Sequence, residues 1–139
     1  MPHIAIEVSP ALCGAIDWEA RLATLHRALA ASGWARLDDL KSRVQPIAAG
    51  LCGEDRRAQQ LIATLILTNP RPPETCLQMA QLVHAHLSQA VEDCRPEGWV
   101  QCCVLLRELP RTRYFKRQWQ APAAAARPDL QQPISKQGV

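Results

Sequence analysis

The chain has 139 residues, 47% of them hydrophobic and 4% aromatic, which fits one globular domain with an aliphatic core and excludes disorder over its whole length. Sixteen Lys and Arg against 13 Asp and Glu leave a net charge of +3, too small an excess to argue for nucleic acid and compatible with a small anionic ligand. No stretch reaches the roughly 18 apolar residues of a membrane span, and the amino terminus lacks the basic-then-apolar order of a secretory signal. The expectation is a cytoplasmic chain without membrane contact, whose cysteines (Cys13, Cys52, Cys76, Cys94, Cys102 and Cys103) are reduced thiols. They form no C-x-x-C pair, so no metal is expected, and most should pack as small hydrophobes.

Residues 3–8 alternate, with Ile4, Ile6 and Val8 on one face, and predict a first strand. Asp17 then caps a helix whose apolar stripe is Trp18, Leu22, Leu25 and Leu29, closed by Gly33 as a left-handed terminus. A second strand is predicted over 40–47, where Lys41 and Arg43 share a face because strand side chains alternate. Gly50, Gly53 and the charged residues around them mark a loop. Residues 61–68 (LIATLILT) are a near-continuous apolar run and predict a well-buried strand.

Asn69-Pro70-Arg71-Pro72-Pro73 breaks that strand and opens a helix over 74–94 that buries Cys76, Ala80, Val83, Leu87 and Cys94. Pro96-Glu97-Gly98 turns into a last strand over 99–109. The order is two β-α-β units, each with parallel strands joined by a right-handed crossover. They make an α/β (α+β) fold, a four-stranded sheet with two helices on one face, and a core this small favours oligomer burial of the other face. Residues 1–120 form the domain; 121–139 carry no periodic apolar pattern and are expected to be a disordered tail.

Pro2 follows a methionine that is normally removed before a small residue, which would leave a secondary amine free on the first strand. An α-amine titrates near ~8, and burial or neighbouring cations bring it into range for base catalysis at neutral pH. The dipeptide alone carries little weight. The start MPHIAIEVS, the segment Leu40-Lys41-Ser42-Arg43-Val44, Thr64-Leu65 leading to Arg71, and Tyr114-Phe115-Lys116 together carry more. Over residues 2–119 they resemble the 5-carboxymethyl-2-hydroxymuconate isomerase family of the tautomerase superfamily. The resemblance implies a cofactor-independent isomerase, a homotrimer of β-α-β repeats. Its substrate would be a tricarboxylate dienol from homoprotocatechuate breakdown, within aromatic compound degradation.

By the same resemblance Pro2 matches the proton-shuttling base and Arg71 an active-site arginine. Lys41 stands where the family usually has another arginine, and Arg43 matches a second arginine of that strand. Lysine keeps the charge and loses the planar fork that grips a carboxylate twice. Thr68-Asn69-Pro70 replaces a glycine-rich stretch, which implies a stiffer approach to Arg71. Arg117-Gln118 stands where the family tends to have asparagines.

The chemistry needs little more. An enol acid loses a proton at oxygen and gains one at carbon through a charged dienolate, so one amine serves both transfers while cations hold carboxylates and the developing charge. Pro2, Lys41 and Arg71 are the expected catalytic set, with Lys41, Arg43 and Arg71 binding substrate. Two alternatives stand beside this one: a tautomerase for a smaller enol acid, and a catalytically degenerate trimer that only binds a ligand or partner. His84 and His86 lie two apart on a helix and make a poor metal pair. His3 is read as structural, Cys102-Cys103 as core, and the basic-aromatic run 111–117 as a solvated or subunit-contact face.

Overall fold

The computed structural model describes residues 1–120; the expected tail at 121–139 lies outside the described residues. Four strands form one sheet: β1 (Pro2–Val8), β2 (Lys41–Pro46), β3 (Gln59–Leu67) and β4 (Val100–Glu108). Their order is β2-β1-β3-β4. β1 runs parallel to β2, β3 runs parallel to β4, and the two halves meet antiparallel at the centre through β1 and β3. Each half is the β-α-β unit read from the sequence.

Among the described residues there are three α-helices rather than two: α1 (Pro10–Ala15), α2 (Trp18–Ala31) and α3 (Pro73–Cys94). The unforeseen α1 is six residues long, too short to show a 3.6-residue stripe, and buries only Leu12. Its sequence signal was Pro10 at the first helical position after Ser9, where a missing N–H costs nothing. α2 begins where expected, the Asp17 carboxylate accepting from the Ala20 N–H at 3.3 Å. It ends at Ala31, two residues before Gly33, whose φ of 78° is the left-handed conformation glycine adopts without strain.

The core lies between the helices and one face of the sheet. Ile4, Ile6 and Val8 of β1 and Leu61, Ala63, Leu65 and Leu67 of β3 pack there with Leu25 and Leu29 of α2 and Cys76, Met79, Val83 and Leu87 of α3. The prediction for α3 named Cys76, Val83 and Leu87 correctly. It missed Met79, Ala90 and Val91, while Ala80 and Cys94 sit half-buried at the edge of the stripe. β3 is the well-buried strand that its composition implies, with its two faces buried unequally. Ile62, Thr64 and Ile66 alternate with its core residues and are half-buried on the face without helices.

That open face also carries His3, Ala5 and Glu7 of β1 and their register partners Lys41, Arg43 and Gln45 of β2. All six cysteines are free thiols; Cys52 and Cys76 are buried and the other four half-buried. Among the described residues no helix is long and apolar enough to cross a membrane.

Candidate active site

The site forms where the amino terminus meets the end of β3. Pro2 pairs with Leu67 in the antiparallel ladder, so Met1 lies opposite Thr68, one residue beyond the sheet. Both are buried, Met1 at 6% exposure and Thr68 at 2%. The Met1 ammonium donates to Thr68 Oγ1 at 2.6 Å, and that hydroxyl donates in turn to the Met1 carbonyl at 3.0 Å. The terminal amine's pKa is lowered to about 5. Burial is the largest cause, followed by the charge of Arg71, with Lys41 and Lys116 adding to it and Asp39 opposing it.

Three segments bring cations to this point. β2 begins at Lys41, the register partner of His3, so its side chain rises on the open face beside β1. The Lys41 ammonium donates to the Asp39 carbonyl at 3.4 Å and lies 3.6 Å from Met1 Sδ. Arg71 sits between Pro70 and Pro72, which restrict the backbone to extended conformations. Its guanidinium donates to the carbonyls of Asn69 at 3.2 Å and Trp34 at 3.2 Å, tying the loop after β3 to the loop after α2. Burial pulls its pKa down.

The third segment follows β4. Pro110 starts a single 3₁₀ turn (Arg111–Arg113), and the chain then crosses the end of β1. Arg111 Nε donates to Asn69 Oδ1 at 3.3 Å, and Tyr114 and His3 share a hydrogen bond of 3.0 Å with their rings edge to face. Lys116 Nζ then lies 3.2 Å from Met1 Sδ. Its pKa is lowered to about 8, chiefly by burial and then by the Lys41 charge. His3 is lowered to about 4 by burial, then by Lys41 and Arg43, and is therefore neutral at pH 7.

The expected residues are thus unequally placed. Pro2, Lys41 and Arg71 converge on the amino terminus. Arg43 does not reach it: it is exposed two residues further along β2, opposite Ala5, and acts on the site through the charge it adds near His3. The reason is the strand repeat, which carries every second side chain about 6–7 Å further from the terminus. Beyond the resemblance, the sequence assigns Tyr114 and Lys116 no role, and it suggests a structural one for His3. Thr68 enters the sequence reading only as part of the stretch before Arg71, and Asp39 carries no signal there. The available signal was the adjacency of His3 to Pro2 and the Tyr-x-Lys spacing, which puts both side chains on one side of an extended segment.

No known family profile matches the chain, and no curated protein does. Solved structures do. The chain superposes on a 5-carboxymethyl-2-hydroxymuconate isomerase from Deinococcus radiodurans R1 with a TM-score of 0.72 and 14% identity, over 85% of this chain and 90% of that one. A 5-carboxymethyl-2-hydroxymuconate delta-isomerase follows with a TM-score of 0.68 and 12% identity, over 86% and 88% of the two chains. A fused 4-OT described as a symmetric trimer gives a TM-score of 0.60 and 20% identity, over 90% of this chain and 99% of that one. The chain has the tautomerase fold. At these identities the shared property is the arrangement of strands and helices. Within the tautomerase fold this chain places its terminal amine among Arg71, Lys41 and Lys116 at the end of β1.

Proposed function

We propose that the protein is a cofactor-independent tautomerase that moves a proton within an unsaturated 2-hydroxy acid, with Pro2 as the base once Met1 is removed. The observation that carries this reading is the buried, cation-ringed amino terminus, where burial and Arg71 lower the Met1 amine to about 5. While Met1 is attached, the Pro2 nitrogen is an amide with no basic lone pair, and Met1 itself fills the space among Lys41, Tyr114 and Lys116. Excision would both create the secondary amine and open that space.

The reaction follows from these parts. The Pro2 nitrogen takes the proton of the enol hydroxyl, breaking the O–H bond and leaving its electron pair in a delocalised enolate. The same nitrogen returns the proton to carbon, forming a C–H bond, so no redox partner or cofactor is required. Lys41 and Arg71 stabilise the anion and hold carboxylate, which also keeps the amine unprotonated between turnovers. A homotrimer, as in the fused 4-OT structure, would cover the open sheet face that carries Ile62 and Ile66.

The resemblance to 5-carboxymethyl-2-hydroxymuconate isomerases favours a polycarboxylate. Two features favour a smaller enol acid instead. The Arg71 guanidinium is engaged by two backbone carbonyls, and Asp39 lies close enough to oppose the cations at both Met1 and Lys116.

Turnover of a panel of enol acids with one, two and three carboxylates, phenylenolpyruvate among them, separates these. The protein should be untagged, with its terminus verified by mass spectrometry. Retained Met1 should abolish turnover, and Pro2→Ala should lower it by at least about tenfold, since a primary amine changes the base's pKa and geometry. Equal rates for parent and Pro2→Ala would remove Pro2 from the mechanism.

A further inference from the structure

The Met1 thioether marks a point on which three hydrogen-bond donors from two separate segments converge. Lys41 Nζ lies 3.6 Å from Sδ, Tyr114 Oη 3.8 Å and Lys116 Nζ 3.2 Å. A thioether is a weak acceptor and gives such donors little. Lys41 and Lys116 stand close enough to repel each other, and among the described residues neither has a carboxylate within salt-bridge distance. Two ammonium groups held together in a half-buried site without a bonded anion are unfavourable until an anion lies between them. Donors aimed in advance at one position are the arrangement that stabilises negative charge on oxygen.

The His3–Tyr114 contact decides what the phenol does. A phenol has one proton to give. If His3 Nε2 accepted it, Tyr114 would present only lone pairs to the site and would repel an anion. If Nε2 carries the ring proton and donates to Tyr114 Oη, the phenol proton is free to point where Sδ lies. His3 is neutral at pH 7 and its Nε2 is 3.0 Å from the phenol oxygen, so this tautomer is open to it and an anionic ligand selects it.

We propose that Lys41, Tyr114 and Lys116 form an oxyanion site that binds the enolate oxygen of the substrate in the place of Met1 Sδ, and that His3 is the positioning residue that holds Tyr114 as a donor. The inference rests on the tautomerase reading for its substrate, but the site itself is testable without turnover. The ligand class is an enolate or phenolate oxygen, and it extends the cationic set beyond Lys41 and Arg71 to the segment after β4.

The probe is 4-nitrophenol, whose phenolate absorbs in the visible. Bound to Met1-free protein, it should titrate at least about one unit lower than in solution, because donors to the charged form favour it. Tyr114→Phe and Lys116→Met should each weaken phenolate binding about tenfold, the worth of one charge-assisted hydrogen bond. His3→Ala should resemble Tyr114→Phe, and His3→Gln, which keeps an N–H near the Nε2 position, should restore binding. In turnover the same variants should lower kcat more than they raise KM, and the parent should lose activity as pH rises through about 8, where Lys116 loses its charge.

Absence of phenolate binding by the parent overturns the proposal. So does unchanged phenolate binding in both Tyr114→Phe and Lys116→Met, or His3→Gln failing where His3→Ala fails. If Pro2→Ala leaves turnover unaltered while the phenol shift persists in the parent and is lost in the variants, the oxyanion site stands and the base assignment falls.

Discussion

The two faces of the sheet use the same strands for opposite purposes. On the helix side, Ile4, Ile6, Leu61, Ala63 and Leu65 are at most 1% exposed and have only apolar neighbours to satisfy. On the other side, the residues between them are His3, Ala5, Glu7, Ile62, Thr64 and Ile66, a mixture of charge, hydroxyl and hydrocarbon. The first face is an answer to water and needs nothing except volume and pattern. The second becomes specific only at its end, where His3 and Lys41 meet Tyr114 and Lys116 from a segment about 70 residues beyond β2. Stability and chemistry are therefore separated by a period of two along a single strand.

The sharpest way to break that comparison is to cut the same volume from each face. Leu65 is fully buried, so Leu65→Ala should cost about 2–5 kcal/mol, the range for a Leu cavity in a packed core. Its neighbour Ile66 is half-buried on the open face, so Ile66→Ala should cost the isolated chain less and should weaken self-association if that face is an interface. Denaturant melts combined with light scattering separate the two. Equal loss of unfolding free energy in both variants, with no change in assembly, would show that the faces do not differ.

A smaller effect is expected at Lys41. Lys41→Ala should lower kcat/KM by about 1.5–3 kcal/mol, the worth of a charged hydrogen bond, with the melting temperature little changed. Lys41→Arg should be tolerated, and should favour substrates with more carboxylates because it restores the planar fork. Unchanged constants for Lys41→Ala on every substrate would place Lys41 outside the site.

The sequence spoke clearly for the first face and only partly for the second. Alternation in residues 3–8 and four-three-four spacing in Trp18, Leu22, Leu25 and Leu29 report burial directly, because burial is a local demand repeated along each element. Residues 61–68 are the well-buried strand that the run predicts, but the run does not say which of them face the helices. Ile and Thr are chosen for a pleated surface as readily as for a core, so composition alone did not separate the faces. For the candidate site, Pro2, Lys41 and Arg71 were legible as candidates through a resemblance that joins distant segments, and the structure gathers them at the amino terminus. Thr68 and Asp39 were not, since nothing at those positions tells of the chain ends that fold back over them. Tyr114 and Lys116 lay in a run whose charges read equally well as solvated surface.

The smallest effect concerns His3, and its sign can be worked out. In the folded chain its pKa is lowered to about 4 from 6.5, first by burial and then by the Lys41 and Arg43 charges. The unfolded chain therefore binds more protons between these values, and stability rises with pH across that window. The His3 contribution is fully present above about 6.5 and is lost as pH falls through 4. His3 is only half-buried, so solvent screens much of the shift and the loss should be a fraction of what a fully buried group would show. Melting temperatures measured at pH 7.5 and pH 4.5 should fall further for the parent than for His3→Gln, which cannot titrate but keeps a hydrogen bond to Tyr114. The terminal amine of any Met1-retaining protein acts in the same direction, losing its contribution as pH falls from 8.0 through about 5. Samples must therefore be matched for Met1 removal before the difference is assigned to His3. A parent that loses no more stability than His3→Gln on acidification would mean that His3 is protonated without cost in the folded chain.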